Sequence, residues 1–137
     1  MQSSNVKIYA VLDSSAWIKL IRSHATVKLI ARRIEVGNVA IFSSKYLLAQ
    51  VERNFGTKLG FSTQKAKKYA RLIRRITVPC DLVHIIATCR DPSDDPIIAL
   101  AAEVKCAYLV TEDYDLLVLG DHDGIKMVTT ALFLRIL

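Results

Sequence analysis

Three aspartates in this sequence stand beside short apolar runs of the kind that form buried strands and helices. Asp13 and Asp113 each follow such a run, and Asp95 precedes one. In an open α/β sheet the ligand crevice lies beyond the carboxyl ends of the strands, so we expect these carboxylates to meet there. Carboxylates gathered in one crevice repel one another unless a cation holds them together. Because Mg²⁺ and Mn²⁺ take oxygen ligands, the first chemical expectation is a divalent-metal site.

Further polar residues accompany these three. Glu52, inside a helix-like segment, is a candidate fourth acid, and Asp115 is placed to bind a second ion or to orient a metal-bound water. The hydroxyls of Ser14 and Thr111 suit hydrogen bonds that fix the carboxylates from behind. The alternative interpretation of every aspartate is a helix cap or a solvated turn residue, and a cap and a ligand can be the same residue.

The strands that must position these residues are predicted from apolar runs. Five runs indicate buried strands, at residues 7–12, 39–42, 82–87, 107–111 and 125–128. Helical patterns lie between them, and the first helix is predicted to be capped by Ser14 or Ser15. Strands that are continuously apolar and alternate with helices are typical of a parallel sheet covered on both faces. The predicted fold is therefore α/β, with about five parallel strands flanked by helices.

Length and composition favour one ordinary globular domain. The chain has 137 residues, of which 52% are hydrophobic, so we expect a single domain over residues 1–137 with residues 1–5 frayed. No apolar run is long enough for a membrane span, and no signal peptide is recognisable. The three cysteines are widely spaced and form neither a zinc motif nor a disulfide framework, which favours a reducing cytoplasm.

The net charge of +6 is unevenly distributed along the chain. Residues 1–90 contain 16 Lys and Arg and 4 acids, whereas residues 91–137 contain 3 and 9. A basic helix is predicted over residues 65–75, where Lys67, Arg71 and Arg74 share one side. Contact with RNA phosphates is one interpretation of this side, and a solvated helix face is the other.

Three segments together carry a resemblance to a known family. They are Val11-Leu12-Asp13-Ser14-Ser15, the run from Asp91 through Asp95 to Ala101, and Tyr108-Leu109-Val110-Thr111-Glu112-Asp113-Tyr114-Asp115-Leu116-Leu117. In this order they resemble PIN-domain proteins, most nearly the prokaryotic VapC-type toxins of toxin–antitoxin pairs. The resemblance implies a Rossmann-like fold and an RNA-cleaving nuclease that uses Mg²⁺ or Mn²⁺ held by Asp13, Asp95 and Asp113. It also implies an antitoxin partner and a homodimer.

One position departs from the family pattern. The family places a glutamate where this chain has Gln50, and Glu52 stands two residues later, about 200° further around a regular helix. Gln50 and Glu52 thus remain alternative candidates for a catalytic role, and the former is favoured to face the cleft. The substitution also keeps open a second function, that of a catalytically weak PIN domain that binds RNA or protein. A phosphatase or receiver-like domain is disfavoured, because Ser15 stands where a second acid would be needed.

The apolar helix predicted after Asp95 bears on assembly. Residues 97–102 are apolar on every side, so the helix must be covered by other structure. One face of the sheet covers part of it, and a second subunit would cover the rest. The sequence therefore predicts a homodimer.

Overall fold

Six strands form one mixed sheet in the computed structural model, which describes residues 7–80 and 96–137. In chain order they are β1 Ile8–Leu12, β2 Val39–Ser43, β3 Val78–Pro79, β4 Tyr108–Val110, β5 Asp121–His122 and β6 Ile125–Val128. Their order across the sheet is β3-β2-β1-β4-β6-β5, and every neighbouring pair is parallel except β5 with β6. A mostly parallel sheet with helices between its strands confirms the predicted α/β fold class.

Seven helices accompany the sheet in the described ranges. They are α1 Ser14–Ile21, α2 His24–Glu35, α3 Lys45–Leu59, α4 Thr63–Ile76, α5 Pro96–Glu103, α6 Tyr114–Leu117 and α7 Thr130–Ile136. None of them combines the length and the apolar composition that crossing a bilayer requires.

Side-chain caps determine where most of these helices begin. For every helix whose preceding residue is described, that residue accepts a backbone N–H of the first turn, and these caps are Asp13, Ser23, Ser44, Ser62, Asp113 and Thr129. The prediction that Ser14 or Ser15 caps α1 is wrong, because the cap is the aspartate that ends β1. Asp13 and Asp113 thus sit at helix N-termini, where the backbone dipoles favour negative charge.

The hydrophobic core is built around β1 and the inner face of α3. Leu12 is fully buried, as expected for a central strand with apolar side chains along its length. Leu47, Val51 and Phe55 are also fully buried, and their spacing of four residues puts them on one face of α3. This buried row fixes the rotation of α3 about its axis, and Gly60, with φ of +69°, ends the helix in the left-handed conformation.

The sheet has two edge strands that the sequence did not predict. β3 and β5 have two residues each, which is too short for an apolar period to be visible. Pro79 lacks a backbone N–H and suits the outer position of β3. The predicted strand at residues 82–87, the loop before Asp95, Asp95 itself and the frayed residues 1–5 all lie outside the described residues.

Candidate active site

The order in which successive strands are added to the sheet reverses between β1 and β4. From β1 the chain builds β2 and β3 on one side, and β4, β6 and β5 lie on the other side. The two central strands are parallel neighbours that pair Leu12 with Val110, so both end at the same edge of the sheet. Such a switch point is where open α/β sheets bind ligands. Asp13 and the segment from Thr111 to Asp113 leave the sheet side by side at this point.

The Asp13 carboxylate is buried and held by three donors. The Ser15 hydroxyl donates to Oδ1 at 2.6 Å, and the Ala16 backbone N–H donates to the same oxygen at 2.9 Å. The Thr111 hydroxyl donates to Oδ2 across 98 residues of sequence. The side chain is thereby fixed in one orientation by its own helix and by the end of the neighbouring strand.

Burial is the main influence on the protonation of this carboxyl group. Loss of solvent raises the pKa of Asp13, the hydrogen bonds from Ser15, Thr111 and Ala16 oppose that rise, and the negative charge of Asp113 adds to it. The pKa ends above its ordinary value. A cation beside the carboxylate would act in the opposite direction, since it favours the charged form.

Asp113 approaches the same space from an exposed position. One of its oxygens accepts the backbone N–H of Asp115 at 3.0 Å, which caps α6. Its own N–H donates to the Thr111 hydroxyl at 2.9 Å, so one hydroxyl joins the two aspartates. The side chain of Asp115 is exposed and does not line the cavity that Asp13 and Asp113 share.

An open cavity of about 500 Å³ lies between the two aspartates and α3. The wall formed by α3 consists of Gln50, Asn54 and Lys58, which follow one another at intervals of four residues and which we call the polar stripe. Gln50 and Asn54 directly precede Val51 and Phe55 of the buried row in sequence. Because the buried row faces the core, the polar stripe lies beside it on α3 and faces the end of β1. Gln50 therefore lies in the cavity, as favoured from the sequence.

Glu52 lines a different cavity. That cavity, of about 420 Å³, lies between α3 and α4, and its other lining residues include Arg53, Phe61 and Ala66. The rotation of α3 thus separates Gln50 from Glu52. The side chains of Asp13, Asp113 and Gln50 are brought together in one cavity, and Glu52 is not part of that group.

The hydroxyls differ from the prediction in their partners. Thr111 bonds to Asp13 as expected, but the second hydroxyl on this carboxylate is that of Ser15 instead of Ser14. Ser14 Oγ instead accepts the Asn54 side-chain amide at 2.9 Å and so joins α1 to the polar stripe. Asn54 was missed because its partner is 40 residues away, beyond any local spacing. Ser15 lies two residues from the Asp13 carboxylate that it contacts, so a local aspartate–serine spacing is the signal that could have found it.

Glu112 is a further site residue that the sequence did not single out. Its carboxylate accepts the backbone N–H and the hydroxyl of Thr130 at 2.8 and 2.7 Å, and Lys19 Nζ lies 3.2 Å away. Burial alone would raise the pKa of Glu112, but these contacts outweigh it and lower the pKa. Its backbone N–H donates to Ser15 Oγ at 2.9 Å. Glu112 thus connects the segment that carries Asp113 to α1 and α7.

The carboxylate oxygens of Asp13 and Asp113 are suitable ligands for a hard divalent cation. A carboxylate offers about four acceptor positions. Asp13 uses two on Oδ1 and one on Oδ2, which leaves one, and the second oxygen of Asp113 accepts no hydrogen bond from the described residues. The described residues contain no cluster of three His, Cys, Asp or Glu side chains able to hold a metal ion. The predicted third ligand, Asp95, lies outside them.

The predicted RNA-binding residues stand on α4. Lys67, Arg71 and Arg74 are all exposed on this helix, which packs against α3 through Ala66, Ala70 and Ile73. They line neither of the two cavities. Their side chains are thus available to solvent, on a helix separate from the polar stripe.

Comparison with known proteins supports this description of the fold. The PIN-domain family model matches residues 9–115 of the chain. The crystal structure of PAE2754 from Pyrobaculum aerophilum is similar with a TM-score of 0.60 and 18% identity, over 93% of this chain and 88% of that one. VapC20 of Mycobacterium tuberculosis, described as a toxin that cleaves the sarcin-ricin loop, is similar with a TM-score of 0.51 and 13% identity, over 85% and 98% of the two chains. No curated protein sequence matches significantly.

The hydroxyl of Thr111 provides a direct test of the network around Asp13. Thr111→Val keeps the shape of the side chain but leaves a buried carboxylate oxygen without its donor. We expect the free energy of unfolding to fall by about 1–3 kcal/mol, as measured by urea denaturation. The control Thr57→Val, at an exposed position of α3, should change stability by less than about 0.5 kcal/mol. Equal stability of the two variants would contradict the network.

Proposed function

Because this chain belongs to the PIN-domain family, we propose that it is a divalent-metal-dependent endoribonuclease that hydrolyses RNA phosphodiester bonds. The observation that carries the proposal is that Asp13 and Asp113 line one open cavity at the switch point of the sheet. The likeness to VapC20, a toxin that cleaves RNA at the sarcin-ricin loop, supports RNA as the substrate class.

The roles of the residues follow from their surroundings. Asp13 and Asp113, together with Asp95 from the family resemblance, would hold Mg²⁺ or Mn²⁺. The bound ion would lower the pKa of a water molecule and neutralise charge on the phosphodiester. Thr111 and Ser15 hold the Asp13 carboxylate in place, and Gln50 is positioned to orient water by hydrogen bonds. In this proposal Glu52 has no direct role, because it lines the other cavity.

A second candidate function is favoured by one observation. Gln50 lines the cavity, and the family resemblance implies a glutamate at this position, so the α3 wall contributes no negative charge among the described residues. A cation would be held more weakly by fewer carboxylates. The alternative is therefore a catalytically weak PIN domain that binds RNA or a protein without efficient cleavage.

The proposed partners and location extend the family relationship. An antitoxin protein that covers the cavity would be required if this nuclease is a toxin. The basic residues of α4 would add RNA affinity that does not depend on sequence. The widely spaced cysteines support a cytoplasmic location.

Cleavage of mixed RNAs with Mg²⁺, Mn²⁺ or EDTA tests the nuclease proposal. Asp113→Asn retains a side chain that caps α6 but removes a charged ligand. We expect EDTA to abolish cleavage and Asp113→Asn to reduce its rate by roughly a hundredfold or more, since even the outer partners of metal ligands cost up to about that much. Asp123→Asn is the control, because Asp123 is exposed with φ of +52°, a conformation that asparagine tolerates. Wild-type protein inactive with both ions would refute the nuclease.

The missing acid is tested by restoring it. Gln50→Glu adds a carboxylate to the cavity, and one charge about 4 Å from a cation contributes roughly 1 kcal/mol or more. We expect Mn²⁺ to bind at least about fivefold more tightly by isothermal titration calorimetry, and cleavage to increase. Glu52→Gln is the matched control and should leave the affinity unchanged. If only the control altered Mn²⁺ binding, the assignment of the two residues would be reversed.

Replacement of Lys67, Arg71 and Arg74 with alanine tests the basic helix. RNA binding should weaken to a similar degree for unrelated sequences, because phosphate contacts carry no sequence information. On single-stranded RNA, the slope of log affinity against log salt should become shallower by about 0.7 for each phosphate that the variant no longer neutralises.

The control for the basic helix removes the same charge elsewhere, at the exposed residues Arg22, Lys28 and Arg32. A salt slope equally reduced in both triple variants, or unchanged in the α4 variant, would mean that α4 is an ordinary solvated surface.

We also propose that the chain forms a homodimer. On α5, Ile97, Leu100 and Ala101 are buried within one chain, whereas Ile98 and Ala99 are only partly buried. Light scattering at micromolar concentration should give about twice the 15.3 kDa mass of one chain. A single-chain mass would rule the dimer out.

A further inference from the structure

The charges around the cavity are divided between its two walls. Asp13 and Asp113 belong to the sheet side, and the polar stripe on α3 contains two amides and one lysine. Lys58 is the only cation among the described residues that line the cavity. The third acid there, Glu112, is already engaged with Lys19 and Thr130. Among the described lining residues, a polyanion that enters the cavity thus meets carboxylates on one side and a single ammonium group on the other.

The Lys58 ammonium has no partner within the described part of the protein. Lys58 is exposed and forms no ion pair or hydrogen bond with any described residue. Two other lysines of this region are occupied, since Lys19 pairs with Glu112 and Lys65 lies 4.3 Å from the centre of the Phe61 ring. Within the described residues, Lys58 can therefore bind an incoming anion without breaking a contact.

The position of Lys58 on its helix holds its stem beside the cavity. It lies in the last turn of α3, where the carbonyl ends of the helix dipoles favour a positive charge. One turn earlier, Asn54 is bonded to Ser14, next to the Asp13 carboxylate. This bond ties the lysine-bearing end of α3 to the acidic wall and fixes the width of the cavity between them.

We propose that Lys58 binds a phosphate of single-stranded RNA in this cavity and so holds the strand against the carboxylate wall. The proposal rests on the proposed function, because it assumes that RNA is the ligand of this site. Without Lys58, and in the absence of a metal ion, the described lining of the cavity would offer the RNA backbone no cation to offset the repulsion from Asp13 and Asp113. Lys58 contributes affinity and placement of the strand and takes no part in bond cleavage.

The test measures RNA binding without metal, so that it is independent of cleavage. A short fluorescein-labelled single-stranded RNA is titrated with the protein in EDTA, and anisotropy is followed at several salt concentrations. Lys58→Gln should weaken binding about fivefold at low salt, as expected for one exposed charge contact. The salt slope should fall by about 0.7, the value for one phosphate contact on a single strand. Lys58→Arg should retain both.

Lys28→Gln is the matched control, since it removes an exposed helical lysine that lines neither cavity. Equal binding by Lys58→Gln and wild type, or equally weakened binding by the Lys58 and Lys28 variants, would overturn the proposal, as would wild type that binds no RNA in EDTA. A wild type that fails to cleave RNA with Mn²⁺ yet loses affinity specifically through Lys58→Gln would refute the nuclease and leave Lys58 as an RNA-binding residue.

Discussion

The buried carboxylate of Asp13 is the constraint on which the rest of the site depends. A charged group that loses its water is unfavourable in a protein interior unless hydrogen bonds replace the solvent. Here the replacement comes from the first turn of α1 and from Thr111 at the end of β4. Those donors converge only because β1 and β4 are parallel neighbours with Leu12 beside Val110. The geometry of the site therefore depends on the order and the register of these two strands.

The same network extends to the helices around it. Ser14 and Ser15 are adjacent, yet one accepts from Asn54 on α3 and the other donates to Asp13. Glu112 continues the chain of contacts to Thr130 at the start of α7. Neighbouring residues at a strand end thus face different elements, because the chain turns there from an extended strand into a helix. The short polar segments that follow β1 and β4 thus position α1, α3 and α7 relative to Asp13 and Asp113.

Two of the acids predicted from the sequence, Asp13 and Asp113, line the cavity, whereas Glu52 and Asp115 do not and Asp95 lies outside the described residues. Asp13 and Asp113 could be found because each follows a buried strand, and an apolar run is visible in a single sequence. The sequence also allows a choice between Gln50 and Glu52 as the residue that faces the cavity, because the buried row on α3 sets the rotation of that helix. Asn54 could not be found, because its contact with Ser14 depends on how distant segments pack. Ser15 lies two residues from Asp13, so a local pattern could have identified it. The two-residue strands β3 and β5 were missed because they have no period to detect.

The balance of effects on Asp13 shows what the protein itself supplies to the site. Burial has the largest effect on the pKa of this group, and the repulsion from Asp113 has the smallest. For the Asp13 carboxyl group, repulsion from Asp113 thus counts for less than the loss of solvent. The hydroxyls of Ser15 and Thr111 and the backbone N–H of Ala16 compensate in part for this loss of solvent. With Gln50 and Lys58 on the facing wall, the negative charge stays on the sheet side. A cation held by the carboxylates and a phosphate bound by Lys58 would then lie next to each other in one cavity.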